Sequence, residues 1–344
     1  MRKATILLLL LMTGCSQFSG TRYADIPAEQ YNYLKGQRVA PEEIGIQVVH
    51  RGAYAEVVWP RGISGDAQVF VPLNMQGGAV STPVVVNGTM RVPGVIDTGA
   101  PFNLASLRLA YRLELPVTRP ASLPQKVFGY GGASAECGWS LLKSLQIGDM
   151  TFTNALAMIP LETFERVTLF GNITINNDQF IILGLDDMAR MSYVTFDFPG
   201  KRFVLAREQP FHAQEGDSFV VPCAVNPGPT LMVTIKVDGK GPFPCRIDTG
   251  KTYQSPALTI PQQLAKELGY WRESGGNRSN HVGIGGSFET QRFALKTFEM
   301  GGKTFANLTA DTHEGAREFI LGLKFLRQYR MTIDFRSRTI CFEK

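Results

Sequence analysis

The sequence predicts an all-β protein, mainly strands with a few short helices, built from two related lobes. Its 344 residues exceed the ~100–200 residues of a typical domain, so two domains are expected. Its 35 Gly and 20 Pro favour short strands joined by turns. Blocks of the first half recur in the second, which divides the chain into lobes over residues 63–207 and 208–344.

The repeat consists of seven short blocks that occur in the same order in both halves. Such an ordered series indicates the tandem duplication of one domain of ~140 residues. The paired blocks are residues 69–72 and 219–222, 84–88 and 235–239, 95–99 and 246–250, 129–132 and 283–286, 142–148 and 295–301, 182–185 and 320–323, and 195–198 and 332–335.

Each half is expected to contain short strands, Gly-rich turns and one or two helices. Leucines at helical spacing predict a helix over residues 104–115, and a Pro followed by leucines predicts another over 261–268. Residues 16–62 have no counterpart in the repeat and are interpreted as an N-terminal extension or tether. That extension is expected to add one or two strands near Val48 and Val57, and a linker is expected near residues 207–216.

Composition narrows the possible functions. A content of 44% hydrophobic and 19% charged residues excludes a disordered chain. The net charge of +5 is spread along the sequence, which gives a nucleic-acid partner little support. The four His are far apart and no C-x-x-C or H-x-x-x-H pair occurs, so neither a metal nor another cofactor is expected.

The first 15 residues are similar to a bacterial lipoprotein signal peptide. Arg2 and Lys3 precede an apolar run over residues 6–12, too short to span a bilayer. The segment ends in Met12-Thr13-Gly14-Cys15, which resembles a lipobox. The resemblance implies lipidation at Cys15 and, with Ser16 next, a cell-envelope location on the outer membrane facing the periplasm. An ordinary signal peptide is the alternative.

Four cysteines follow Cys15, namely Cys137, Cys223, Cys245 and Cys341. The periplasm is oxidising, so disulfides could form there. One cysteine lies in the first half and three in the second, which does not indicate one bridge per lobe. We expect buried, small hydrophobic residues, with the disulfide state left open.

The motif Asp-Thr-Gly occurs at Asp97 and again at Asp248. A single copy is typical of an ordinary turn after a strand. Two copies in a repeated frame, each followed by Ile-Leu-Gly, resemble the retropepsin/pepsin family of aspartic proteases. The resemblance covers about residues 65–344 and is closest to bacterial retroviral-type aspartyl proteases. It implies two pseudo-twofold-related retropepsin-like lobes with a cleft between them, in a monomer that acts as an internal pseudo-dimer.

The family mechanism implies that Asp97 and Asp248 form the catalytic pair. Peptide hydrolysis without a metal or a nucleophilic side chain requires a water molecule held between two carboxyl groups. One carboxylate accepts the proton of the water, and the other carboxyl donates a proton to the peptide carbonyl. Two carboxyls so close share one proton, because both cannot ionise readily. The implied function is therefore aspartic endopeptidase activity on polypeptides.

The resemblance also assigns supporting roles. Thr98 and Thr249 would bond across the lobes, and Gly99 and Gly250 would let the backbone approach the carboxyls. The two Ile-Leu-Gly segments would pack behind the Asp loops. Two Gly-rich hairpins resemble flaps that close over substrate, although ordinary hairpin turns are the alternative. The flap residues are Gly129, Tyr130, Gly131 and Gly132 in the first lobe, and Gly283, Ile284, Gly285 and Gly286 in the second.

One position departs from the family pattern. Ala100 follows the first motif, whereas Lys251 follows the second, where the family has a small residue. An ammonium near the pair would favour ionised carboxylates, whereas a Lys pointing to solvent would not affect them. Lys251 therefore supports an alternative, a degenerate pseudo-protease that binds peptides as an envelope lipoprotein. A purely structural envelope lipoprotein is the third possibility.

Overall fold

A computed structural model gives the fold of the chain. It describes residues 32–34, 36–51, 54–128, 134–161, 168–169, 173–174, 179–213, 216–226, 229–272, 277–283 and 286–344. Strands dominate these residues and the helices are short, which confirms the predicted all-β class. The predicted signal peptide, its Cys15 and residues 16–31 lie outside the described residues.

The strands are numbered in chain order. Those of the first half are β1 (Gln47–Arg51), β2 (Tyr54–Val58), β3 (Gly62–Gly65), β4 (Gln68–Pro72), β5 (Asn74–Gln76), β6 (Ala79–Val86), β7 (Met90–Ile96), β8 (Asn103–Ala105), β9 (Lys126–Phe128), β10 (Ser134–Ile147), β11 (Met150–Pro160), β12 (Thr168–Leu169), β13 (Ile173–Thr174), β14 (Ile181–Leu183), β15 (Tyr193–Asp197) and β16 (Arg202–Ala206). Those of the second half are β17 (Ser218–Asn226), β18 (Thr230–Val237), β19 (Lys240–Asp248), β20 (Leu258–Thr259), β21 (Asn277–Gly283), β22 (Gly286–Met300), β23 (Lys303–His313), β24 (Phe319–Gly322), β25 (Arg330–Asp334) and β26 (Thr339–Glu343).

The helices are α1 (Leu107–Arg112), α2 (Leu185–Met188), α3 (Gln262–Glu267) and α4 (Leu323–Leu326), with a 3₁₀ turn at Pro41–Ile44. The helix predicted over residues 104–115 is wrong at its start, because Leu104 lies in β8. Ser106 is the N-cap, and its hydroxyl accepts the Leu109 N–H at 3.3 Å. A leucine pattern alone does not distinguish the buried strand from the helix that follows it.

The two halves build their sheets in the same way. The first-lobe sheet has the order β3-β11-β8-β14-β7-β6-β10-β9, with β5 beside β6. The second lobe repeats part of this order as β23-β20-β24-β19-β18. In both lobes, the strand that leads into Asp-Thr-Gly runs parallel to the strand of the Ile-Leu-Gly segment.

A shared sheet joins the lobes in the order β17-β26-β25-β15-β16-β4. Its central pair, β15 and β25, comes from equivalent blocks of the repeat. Thr195 lies directly opposite Thr332, and their hydroxyls are hydrogen-bonded at 2.8 Å. These equivalent residues meet each other, so a pseudo-twofold axis passes between them.

Part of the N-terminal segment packs into the first lobe. Leu34 and Ile46 are fully buried, and the Val39 N–H donates to the Val117 carbonyl at 2.9 Å. Strands β1 and β2 form a hairpin at the positions where strands were expected near Val48 and Val57. The described residues that make these contacts therefore pack against the first lobe.

The four cysteines that follow the N-terminal segment are free thiols, and all but Cys223 are buried. Burial raises the pKa of Cys137 and of Cys223 to about 11, and it raises those of Cys245 and Cys341 as well. The thiols are therefore protonated at neutral pH and pack as small hydrophobic groups. In the part of the chain that the structure describes, no helix has the length and apolar character needed to cross a membrane.

Candidate active site

The two Asp-Thr-Gly loops follow equivalent strands. Asp97 comes directly after β7, and its N–H donates to the Leu183 carbonyl at 3.0 Å. Asp248 ends β19 opposite Gly322 of β24. Each loop therefore leaves a buried parallel strand pair at the same point, and the pseudo-twofold axis makes the two loops face each other.

Four hydrogen bonds join the loops through their threonines. The Thr98 hydroxyl donates to the Ile247 carbonyl at 2.8 Å and accepts the Thr249 N–H at 3.1 Å. In the reciprocal pair, the Thr249 hydroxyl donates to the Ile96 carbonyl at 2.7 Å and accepts the Thr98 N–H at 3.0 Å. Both threonines are completely buried. This reciprocal set fixes the distance and the angle between the loops.

The carboxyls of Asp97 and Asp248 lie within hydrogen-bonding reach of each other. Asp97 Oδ1 accepts the N–H groups of Gly99 at 2.8 Å and Ala100 at 3.1 Å. Asp248 Oδ1 accepts those of Gly250 at 2.8 Å and Lys251 at 3.0 Å. Each carboxyl is thereby oriented by its own loop, while it meets the other carboxyl between the lobes.

The close approach of the loops requires glycine at two positions. A Cβ atom on Gly99 would lie closer than 3.0 Å to the carboxyl of Asp248. A Cβ atom on Gly250 would lie equally close to the carboxyl of Asp97. Each glycine therefore leaves room for the carboxyl of the other lobe.

The pKa of Asp97 is raised well above its ordinary value. Burial and then the negative charge of Asp248 raise the pKa of Asp97, the Gly99 N–H and Arg246 lower it, and together these effects bring it to about 7. At pH below 7, Asp97 therefore stays protonated beside Asp248. A protonated carboxyl next to an oriented second carboxyl can donate one proton while its neighbour accepts another.

The Ile-Leu-Gly segments lie behind the loops. A Cβ atom on Gly184 would overlap the backbone of Phe102, which follows the first motif. A Cβ atom on Gly322 would lie 2.7–2.8 Å from the side-chain carbons of Lys251. The absence of a side chain at Gly322 therefore makes room for the Lys251 side chain inside the second lobe.

Lys251 does not point to solvent, which excludes one of the two alternatives that the sequence left open. Its side chain is 3% exposed, and Nζ donates to Asp311 Oδ1 at 2.9 Å and to Thr259 Oγ1 at 2.5 Å. Burial lowers the pKa of Lys251 below its ordinary value, although the charges of Asp311 and then Asp248 act to raise it. The ammonium is thus held by two strands of its own lobe.

The sequence analysis missed Asp311 and Thr259 because neither belongs to a matched block. The signal that could have found Asp311 is an acidic residue in a strand otherwise rich in Ala and Thr. It also missed Arg246, whose guanidinium lies 3.5 Å from the Gly99 carbonyl and pairs with Glu318 at 2.5 Å. Arg246 lies in β19 two residues before Asp248, and this short separation along the strand keeps it near the pair.

The flap residues are described in part. Strands β9 and β10 pair as a hairpin, with Phe128 opposite Ser134. Strands β21 and β22 do the same, with Gly283 opposite Gly286. The remaining flap residues named from the sequence lie outside the described residues, and they are Gly129, Tyr130, Gly131, Gly132, Ile284 and Gly285. The hairpin arms are therefore present in both lobes.

Comparisons with known proteins match each lobe separately. A family model described as "gag-polyprotein putative aspartyl protease" matches residues 233–328, and one described as "Aspartyl protease" matches residues 82–186. A crystal structure of a retropepsin-like aspartic protease from Rickettsia conorii is similar at 17% identity. That match covers 37% of this chain and 100% of the other, with a TM-score of 0.30. No curated protein matches.

The two family matches fall on the two halves of the sheet topology. Each matched range includes one Asp-Thr-Gly loop and its Ile-Leu-Gly strand. Together with the topology, they confirm the predicted fold of two pseudo-twofold-related retropepsin-like lobes. They also support the family assignment and a hydrolase that acts on polypeptides.

Proposed function

We propose that the chain is an aspartic endopeptidase whose catalytic pair is Asp97 and Asp248. In the proposed reaction, one ionised carboxylate accepts a proton from a bound water while the water oxygen bonds to the peptide carbonyl carbon. The other carboxyl gives its proton to the carbonyl oxygen, which yields a tetrahedral diol. A proton then passes to the amide nitrogen, the C–N bond breaks, and a carboxylic acid and an amine leave.

The observation that carries this proposal is the pair of carboxyls at the interface between the lobes. They lie within hydrogen-bonding reach, each is oriented by two N–H groups, and the pKa of Asp97 is raised to about 7. Perturbed titration at a close carboxyl pair is typical of catalytic sites. The family matches, one per lobe, agree with one Asp contributed by each.

The repeat supports an origin for this arrangement. We infer that a tandem duplication joined two lobes in one chain, so that the monomer contains the whole site. The equivalent blocks meet at the pseudo-twofold axis through Thr195 and Thr332. The same axis relates Asp97 to Asp248, which explains why the supporting contacts come in reciprocal pairs.

Substitution of either aspartate tests the function. Asp97→Asn and Asp248→Asn are each expected to reduce cleavage of an unfolded polypeptide by about 10²–10⁴-fold, because each removes one proton-handling carboxyl. The measurement is the initial rate on a fluorogenic, unstructured protein substrate between pH 4 and 7. The matched control is Asp66→Asn, which changes a carboxyl outside the site and should leave the rate unchanged. Wild-type rates in both site variants would contradict the proposal.

A degenerate pseudo-protease is the alternative that the same experiment separates. That alternative depended on Lys251, and the structure holds the Lys251 ammonium against Asp311 and Thr259. The alternative predicts no wild-type cleavage at any pH but measurable peptide binding. If the chain is an aspartic endopeptidase, the wild type should cleave the substrate and both Asp→Asn variants should lose this activity.

The N-terminal sequence supports a location for this activity. We propose that Cys15 is lipidated and anchors the protein to the outer membrane, facing the periplasm, where polypeptide substrates would reach the cleft. The full chain expressed in a bacterium should incorporate radiolabelled palmitate, and Cys15→Ser should abolish the labelling. Equal labelling of the two chains would contradict the anchor.

A further inference from the structure

Arg246 lies beside the carboxyl pair, and the proposed reaction assigns it no role. It is two residues before Asp248 in β19, and side chains at this spacing point to the same face of a strand. Its Nη1 lies 3.5 Å from the carbonyl oxygen of Gly99 in the other lobe. A Cβ atom on Gly99 would itself lie 2.4–2.6 Å from the Asp248 carboxyl. The guanidinium therefore reaches across the interface between the lobes, next to the position proposed for the scissile bond.

The equivalent position in the first lobe is apolar. Val95 precedes Asp97 by two residues and pairs with Ile182 of the first Ile-Leu-Gly segment. Arg246 pairs with the equivalent residue of the second segment, Ile320. Val95 is completely buried in an apolar cluster, whereas the Arg246 side chain is 22% exposed. The pseudo-twofold axis thus relates a cation on one side of the pair to an apolar side chain on the other.

The hydrogen bonds of Arg246 use only part of its donor capacity. A guanidinium has five N–H donors. Nη2 donates to Glu318 Oε1 at 2.5 Å, and the contact of Nη1 with the Gly99 carbonyl is long. Nε is buried and has no hydrogen-bond partner among the described residues. A single carboxylate oxygen is therefore bound at short distance, and the cation retains donors for a second carboxylate.

The ion pair with Glu318 is open to solvent. Glu318 immediately precedes β24, and its side chain is 49% exposed. Solvent and salt screen a partly exposed pair, so the pair contributes little to stability. A second carboxylate that enters between the lobes can therefore share the guanidinium with Glu318, or replace it, with little loss of free energy.

A substrate carboxylate beside the catalytic pair needs a cation nearby. Any negative charge on Asp97 or Asp248 repels a second carboxylate at short range. Arg246 acts on this region, since its charge lowers the pKa of Asp97. Neighbouring Cα atoms of a peptide are ~3.8 Å apart, so the side chains that flank the scissile bond begin in the same region. The guanidinium is thus placed to attract such a side chain and to offset the repulsion.

We propose that Arg246 is a specificity-determining residue that binds an acidic side chain, Glu or Asp, on one side of the scissile bond. The inference rests on the proposed function and names the substrate class of that site, which is polypeptides with an acidic residue next to the cleaved bond. The other side of the pair does not share this preference, because Val95 is apolar.

The first experiment maps the bonds that the full chain cleaves in a denatured protein, by mass spectrometry of the products. Glu and Asp should be enriched over their frequency in the substrate at one of the two positions that flank the cleaved bond. They should not be enriched at the other. Enrichment at neither position, or equal enrichment at both, overturns the inference, because one arginine in one lobe faces one side of the bond.

The second experiment compares two peptides that differ only in Glu or Gln at the enriched position. The Glu peptide should have a kcat/KM at least about 10-fold higher, because hydrogen bonds to charged groups are stronger than those between neutral groups. In Arg246→Met, which removes the charge, the ratio should fall to about 1. Arg246→Lys keeps a cation and should retain a preference for Glu. The matched control is Arg202→Met, which breaks an ion pair with Asp197 outside the site and should leave the ratio unchanged.

A second variant keeps the test valid if Arg246→Met does not fold. Glu318→Gln removes the carboxylate that competes for the guanidinium, so it should raise the ratio of the Glu to the Gln peptide. A lower ratio in Glu318→Gln would overturn the inference, because the substrate would then depend on Glu318 and not on the freed cation. Each ratio compares two substrates of one enzyme, so a loss of folded protein does not change it.

Failure of the inference and failure of the proposed function give different results. Equal wild-type rates on the two peptides overturn the role of Arg246 and leave the endopeptidase intact. An unchanged ratio in Arg246→Met also overturns it, since another group would then select the acidic residue. Cleavage that persists in both Asp97→Asn and Asp248→Asn overturns the proposed function itself, and the inference with it.

Discussion

Lys251→Ala is expected to lower the free energy of unfolding by about 3–5 kcal/mol. The substitution removes one partner of a buried ion pair and leaves the Asp311 carboxylate, which is 0% exposed, without its cation. It also removes the side-chain carbons that fill the space over Gly322. Both losses fall on the loop that orients Asp248, so the second lobe should lose stability first.

The matched control replaces all three residues of the buried group. Lys251→Ala/Thr259→Leu/Asp311→Met gives the second lobe the residues of the equivalent first-lobe positions, which are Ala100, Leu104 and Met158. The sheet register sets this equivalence, because Leu104 pairs with Met158 in the first lobe as Thr259 pairs with Asp311 in the second. An apolar group in place of a buried ion pair is often neutral or stabilising by about 1–4 kcal/mol. The triple variant should therefore be more stable than Lys251→Ala, although it carries two more substitutions.

Denaturant unfolding followed by intrinsic fluorescence measures both variants against the wild type. Two lobes can unfold separately, so the transition must first be shown to be two-state by coincident probes. A loss below about 1 kcal/mol in Lys251→Ala would contradict the prediction, because it would mean that the Asp311 carboxylate finds another partner or accepts a proton. An additional loss in the triple variant would show that the charged group is required for packing.

The repeat predicted most of the fold because the same strands and turns occur twice. Paired blocks predicted equivalent strands and turns in the two lobes, and the two Asp-Thr-Gly motifs singled out Asp97 and Asp248 as the candidate pair. The reciprocal bonds of Thr98 and Thr249 followed from the family resemblance. These features depend on short local motifs, which a sequence displays directly.

The surroundings of Lys251 could not be predicted in the same way. Asp248 and Thr259 are separated by a longer loop than Asp97 and Leu104, so the motifs alone do not align Thr259 with Leu104. Asp311 lies far along the chain and meets Thr259 through parallel pairing. Parallel partners that are distant in sequence leave no local signal, and only the register of the sheet brings the two residues together.

The start of the first helix was misplaced for a related reason. Leu104 continues the leucine spacing of α1, yet it lies in a buried strand that pairs with both β14 and β11. Tertiary pairing here determines the conformation of a residue whose local pattern favours a helix. The N-cap at Ser106 marks the true boundary.

Gly99→Ala is expected to reduce cleavage by about 10²-fold or more and to destabilise the interface between the lobes. The new methyl group would overlap the Asp248 carboxyl, which has little space to move because Oδ1 is held by the N–H groups of Gly250 and Lys251. A displacement of the order of 1 Å at a reacting group costs about 10²-fold in rate. Gly250→Ala should have the same effect through Asp97.

The control is Gly36→Ala, at a described glycine whose added Cβ would have no heavy atom within 4 Å. It should leave the cleavage rate unchanged and the free energy of unfolding within about 0.5 kcal/mol of the wild type, which is usual for a surface substitution. Initial rates on the unfolded substrate and thermal unfolding midpoints measure the three variants together. If Gly99→Ala cleaved at the wild-type rate, the carboxyls could separate without loss of function, and a catalytic pair that requires contact between Asp97 and Asp248 would be wrong. A rate loss in Gly99→Ala with an unchanged midpoint would instead place the whole effect on the geometry of the pair, because the lobes would still be joined by Thr98 and Thr249.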